Sequence, residues 1–200
     1  MHVRYAVEGP TDEPLAKRLI GAVGMDPLAT FVGGGKPKLD PKLPGYNEAA
    51  RHSPWLVLRD LDHDDANGCV PGLVRQLLGG LPSSGMCFRV AVREAEAWLL
   101  ADADGCAHYF GVSRANVPHD VELLSDPKQS LVNLCRRSRK RDIREGMVPR
   151  RGSRRSVGES YRVVLREFVE ETWDPQQARL TAPSLDRAML ALERLARTGP

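Results

Sequence analysis

Apolar and polar positions change rhythm several times along this chain, and each change marks an element. Trp55, Leu56, Val57 and Leu58 form an unbroken apolar run between polar neighbours. Such a run reads as a strand buried on both faces. His2 to Val7 partly alternates and predicts the first strand; Leu28–Val32 and Met86–Val92 predict two more. Between them the period lengthens. Leu15, Leu19 and Ile20 make an apolar stripe behind Thr11 and Asp12, either of which could cap a helix, with Pro14 in the first turn. Val70–Leu78 predicts a helix closed by Gly79 and Gly80, and Ala95 to Ala101 predicts another. Tyr46–Arg51 and Gly105–Gly111 suggest short helices, whereas Pro37–Gly45 has no period. Lys128–Arg139 predicts a helix, and Ser153–Ser160 an exposed loop. Tyr161–Glu171 and Pro183–Arg197 have the spacing of two closing helices.

Strands alternating with helices predict an α/β fold. Its 200 residues suit one domain with a small helical extension. The expected division is 1–125 for the α/β part and 126–200 for the extension packed on it. No apolar stretch approaches the roughly 18 residues of a membrane span, and the first residues lack the regions of a secretory signal. The expectation is therefore a cytoplasmic protein with no membrane partner. Cys69, Cys87, Cys106 and Cys135 are widely spaced without a CxxC, which argues for reduced thiols rather than a zinc knuckle or redox motif.

The net charge of +3 hides an asymmetry. Residues 136–155 carry ten Lys or Arg and two acids, while the other 180 residues carry 19 basic and 24 acidic side chains. Two readings fit this tract. One is a solvated, partly disordered segment. The other is a phosphate-contacting surface of Arg136, Arg137, Arg139, Lys140, Arg141, Arg150, Arg151, Arg154 and Arg155. Few aromatics accompany it, so stacking on single-stranded bases is not favoured.

The central strand runs into Asp60, Asp62, Asp64 and Asp65. Asp60 and Asp62 point the same way in extended chain. They read either as an acidic surface turn or as a hard-oxygen pair for Mg²⁺ or Mn²⁺. Open α/β sheets hold ligands at the carboxyl ends of their strands, which favours the second. An EF-hand loop fails, because its sixth and twelfth positions are Asp65 and Pro71. Glu8 closes the first strand. Gly33, Gly34, Gly35 and Lys36 follow the second without P-loop spacing, as a flexible loop or a turn that touches a phosphate. Glu94 and Glu96 open a helix, where acids complement the dipole or could close a metal site.

VEGPTD (7–12), DLDHDD (60–65) and EAEAWLLAD (94–102) together resemble the Toprim superfamily, which includes type II topoisomerases, primases and OLD-family nucleases. EGPTD looks most like the OLD-type variant. EAWLLAD and APSLDRAML (182–190) are similar to a compact, stand-alone Toprim-like group, a resemblance reaching about residue 194. It implies a Rossmann-type fold of about four mainly parallel strands flanked by helices, with a C-terminal helical extension. It implies Mg²⁺ or Mn²⁺, in two ions, held by Glu8, Asp60 and Asp62 with Asp12 and Glu96. Lys36 and Lys128 are the candidates for the lysine that OLD-type nucleases use. His63 departs from the pattern, standing where a small residue usually follows the DxD.

Two cations about 3.5–4 Å apart can stabilise the attacking, bridging and leaving oxygens of a phosphodiester. The five carboxylates roughly balance the charge of two such ions. The expected function is metal-dependent hydrolysis of DNA or RNA, which by the resemblance could serve defence against phage or plasmids. The resemblance leaves room for an ATPase partner and for a homodimer. The rival readings are a non-catalytic Toprim-like module that binds nucleic acid or a partner, and another phosphotransfer enzyme.

Overall fold

The computed structural model describes residues 1–60, 70–91 and 95–199. Contacts divide the chain into two compact units, Met1–Val92 with Ser184–Pro200, and Arg93–Pro183. The boundary expected at 125/126 falls inside the second unit.

The first unit is α/β and Rossmann-like. Its elements are β1 (His2–Val7), α1 (Asp12–Ala22), β2 (Asp26–Val32), α2 (Lys36–Leu39), a 3₁₀ turn (Asp40–Lys42), α3 (Leu43–Ala49), β3 (Trp55–Asp60), α4 (Val70–Leu78) and β4 (Met86–Ala91). The four strands are all parallel, in the order β2-β1-β3-β4. The buried run at 55–58 is central, flanked by β1 and β4, which is why it is apolar on both faces. β2 is an edge, and most of its residues are exposed.

Strand alternation splits the core in two. Ala6, Trp55, Val57, Phe88 and Val90 pack with Leu39, Leu43 and Leu78 from the α2-to-α4 side, and Tyr46 stacks on Trp55 with ring centroids 4.5 Å apart. On the opposite face Tyr5 meets α1, where its hydroxyl donates to Glu13 Oε1 at 2.9 Å. Burial and that hydrogen bond to the carboxylate both raise the Tyr5 phenol above its ordinary value.

Residues 37–45 are helical although they show no period. Pro37, Pro41 and Pro44 each sit at the first or second position of a short helical turn. Proline is suited there, because its missing N–H would be unpaired anyway. Three restarts in nine residues erase the apolar rhythm.

The second unit is helical: α5 (Glu96–Leu100), α6 (Ala103–Phe110), α7 (Pro127–Cys135), α8 (Arg141–Met147), α9 (Tyr161–Glu171) and α10 (Pro175–Ala178), with 3₁₀ turns at Arg114–Asn116 and Val121–Leu123. Trp98, Phe110, Phe168 and Trp173 fill its core. Phe110 and Phe168 lie 4.7 Å apart between ring centroids, and Trp173 Nε1 donates to the Trp98 carbonyl at 3.2 Å. The chain then returns to the first unit in α11 (Pro183–Thr198), which buries Leu185, Met189, Leu192 and Leu195.

The helix expected over 128–139 stops at Cys135. A tertiary hook ends it: the buried Ser138 hydroxyl donates to the Phe110 carbonyl, and Arg139 N–H donates to Gly111 O at 2.9 Å. The tract beyond it then folds as α8, with Ile143 and Met147 buried. Cys87, Cys106 and Cys135 are free and buried, and burial raises all three thiols. Among the described residues no helix is long and apolar enough to cross a membrane.

Candidate functional site

The strand order reverses between β1 and β3: the chain goes from β1 outward to β2, then comes back across β1 to β3 and β4. At such a switch point neighbouring loops diverge and leave a crevice beyond the strand ends, where open α/β sheets bind ligands. Glu8 follows β1 and Asp60 ends β3 on the two sides of that point. Asp60 N–H donates to Glu8 Oε2 at 3.4 Å, and both residues are half-buried. One carboxylate thus leans on the main chain that carries the other.

The loop after Glu8 is closed by Asp12, whose Oδ2 accepts from Gly9 N–H at 2.8 Å. Asp12 also opens α1, so it serves the loop and the helix start together. The glycine-rich turn is fastened to the same strand end. Gly33 N–H donates to Val7 O at 3.3 Å and Gly35 N–H to Glu8 O at 3.1 Å. Gly33, Gly34 and Gly35 all have positive φ, of 91, 96 and 70°, a run that side chains with a Cβ would strain. The turn therefore needs all three glycines to hook back onto β1 and to start α2 with Lys36 at that end of the sheet. Asp62 lies outside the described residues, as do His63, Asp64, Asp65 and Glu94.

Two residues that sequence reasoning passed over support Asp60. Arg59 turns to the opposite face of β3 and takes Asp40 in a two-pronged ion pair, Nε to Oδ1 at 2.9 Å and Nη2 to Oδ2 at 2.9 Å. Its Nη1 donates to the Asp60 carbonyl at 3.1 Å. The guanidinium thereby ties the 3₁₀ turn after Lys36 to the end of β3. The only sequence signal was an arginine within an apolar strand, which needs a buried partner.

Glu96 and Lys128 fall in the second unit, where they meet each other. The Glu96 side chain is 8% exposed; its Oε1 accepts from the Tyr161 hydroxyl at 2.8 Å and lies 3.7 Å from Lys128 Nζ. A buried carboxylate is thus matched by a phenol and an ammonium. Asp102 of the same sequence motif is 3% exposed and capping: Oδ1 accepts from Gly105 N–H and Oδ2 from Asp174 N–H, each at 2.9 Å.

The nine candidate phosphate contacts of the basic tract are all exposed, and Arg144, its tenth cation, is half-buried. Lys140 Nζ donates to Tyr109 O at 2.8 Å, Arg141 pairs with Glu145 at 2.7 Å, and Arg150 with Glu159 at 3.4 Å. These surface contacts are weak and exchangeable.

The donors at the switch point are carboxylate oxygens, hard ligands of the kind Mg²⁺ and Mn²⁺ take. Among the described residues no three His, Cys, Asp or Glu side chains gather as a metal site. Glu8 and Asp60 could supply two donors there. No family model, curated protein or solved structure matches this chain.

Proposed function

We propose that this chain is a divalent-cation-dependent nuclease of the Toprim type, acting on DNA or RNA. The observation that carries the reading is the hydrogen bond from the Asp60 main chain to the Glu8 carboxylate, which joins two acid-bearing strand ends at the switch point of a parallel sheet. Acids on adjacent strand ends repel each other, and a cation bound between them would offset that repulsion. Glu8 and Asp60, with Asp62 from the same sequence motif, would hold the ion, and Asp12 shapes the loop beside it. A bound divalent cation supplies positive charge for the oxygens of a phosphodiester undergoing hydrolysis. Lys36, on the turn fastened to Glu8, gives a further cation for a phosphate at this end of the sheet. The arginines of the second unit add affinity for a phosphate backbone without sequence selectivity.

The test is nicking of supercoiled plasmid, and cleavage of a structured RNA, with Mn²⁺, Mg²⁺ or chelator. The reading expects cleavage with Mn²⁺, loss with chelator, and loss in Glu8→Gln with the melting temperature kept. Binding of nucleic acid without cleavage under any cation would favour a non-catalytic module instead.

A further inference from the structure

The outer edge of the sheet at β4 carries a second groove, away from the switch point. It is a cavity of about 630 Å³ between α4, the turn after it, β4 and the start of α11. Val74, Leu81, Phe88 and Val90 give it an apolar lining, and Leu81 is 72% exposed. Arg75, Arg89 and Arg187 line it as well, and no acid does among the described residues. Among the described residues none of these three arginines forms an ion pair. Arg89 Nε is buried without a hydrogen-bond partner among the described residues. A buried guanidinium nitrogen left unmatched is costly, and an incoming acceptor would relieve it.

The strand itself offers more. Trp55 N–H donates to Gly85 O at 2.9 Å, which sets the pairing of β3 with β4. In a parallel pair alternate residues face the partner strand. Cys87 and Arg89 therefore turn their main-chain groups to β3, while Phe88 and Val90 turn theirs to the open edge, within the groove. A strand edge that pairs with nothing further among the described residues can accept one more strand.

We infer that β4 and its groove dock an extended, acidic peptide segment of a partner protein, which adds as a fifth strand. Main-chain groups of Phe88 and Val90 would pair with it, alternate apolar side chains would fill the space by Leu81 and Val74, and its carboxylates would meet Arg75, Arg89 and Arg187. This inference does not depend on the chemistry proposed for the switch point.

The probe is a fluorescein-labelled, capped peptide of sequence Val-Glu-Val-Glu-Val-Glu, read by fluorescence polarisation on the whole chain. Binding is expected, with slowed amide exchange at Phe88 and Val90. The exposed double variant Arg75→Glu with Arg187→Glu should weaken it by about tenfold or more at unchanged melting temperature. Leu81→Asp should weaken it independently. A peptide N-methylated at alternate amides should lose binding, because it cannot pair as a strand. The inference fails if the acidic peptide does not bind at about 1 mM. It also fails if a Val-Lys peptide binds as well, or if N-methylation has no effect. Competition by a phosphate-rich oligonucleotide with no protection of Phe88 or Val90 would likewise overturn it, in favour of a simple anion pocket.

Discussion

Replacing Asp40 with Ala should destabilise the first unit more than any exposed acid in the chain would. The Arg59 side chain is 4% exposed and that of Asp40 25%. Removing one partner of a fully buried pair costs about 3–5 kcal/mol, chiefly because the remaining charge stays out of water. Solvent reaches the Asp40 side, and Arg59 keeps its bond to the Asp60 carbonyl at 3.1 Å, so about 2–3 kcal/mol is expected here. For a chain of this length that corresponds to a fall of about 4–12 °C in melting temperature. The double variant Asp40→Leu with Arg59→Met replaces the pair by apolar groups of similar length and should return to within about 1 kcal/mol of the parent. Urea unfolding of the parent, both single variants and the double variant gives the coupling energy directly. Amide exchange over residues 36–49 should quicken most in Asp40→Ala, because that segment is what Arg59 ties down. A coupling below about 0.5 kcal/mol would refute the reasoning, since that is the size of an ordinary surface pair.

Asp102→Ala removes a buried cap from Gly105 and Asp174 together and should cost about 2–4 kcal/mol in thermal or urea unfolding. Gly105→Ala should cost a similar amount by a different route, because a Cβ there would collide with the Asp102 carboxylate, and the two losses should not add. Burial holds the Cys135 thiol at about 12 and raises Cys87 and Cys106 too, so the folded state keeps protons that the unfolded chain releases above about pH 8.5. Stability from this source is therefore complete below that pH and should fall above it, by up to about 1.4 kcal/mol per pH unit per thiol, with a shallower fall in Cys135→Ala when urea midpoints are compared from neutral to alkaline pH. Neutralising Arg150, Arg151, Arg154 and Arg155 together should weaken binding to every nucleic-acid sequence alike. It should also flatten the log–log salt dependence by up to about 0.9 per lost phosphate contact on duplex DNA, at unchanged melting temperature.

What could be read from the chain depended on how local its cause was. The strand at 55–58 and the helix Tyr161–Glu171 were legible because a buried strand or an amphipathic helix writes its own period into consecutive residues. The adjacency of Glu8 and Asp60 was foreseeable from two strand ends, given a parallel sheet. The helical turns at 37–45 were not, because prolines reset the rhythm every few residues. The pairing of Arg59 with Asp40 depends on how the crossover from β2 to β3 lies, which no local pattern records. Tyr161 reaches Glu96 across 65 positions, so a single sequence carries no trace of that bond. Asp102 stood within a run that resembled a functional motif, yet its two oxygens are occupied in capping.

The central claim is that Glu8 and Asp60 hold a divalent cation at the switch point. Mn²⁺ binding to the apoprotein, followed by electron paramagnetic resonance of the free ion, tests this without relying on any substrate. The account predicts saturable uptake by the parent chain, competed by Mg²⁺, and its loss in both Glu8→Gln and Asp60→Asn while circular dichroism is unchanged. Uptake that persists undiminished in both variants, or a parent chain that takes up no Mn²⁺, would contradict it.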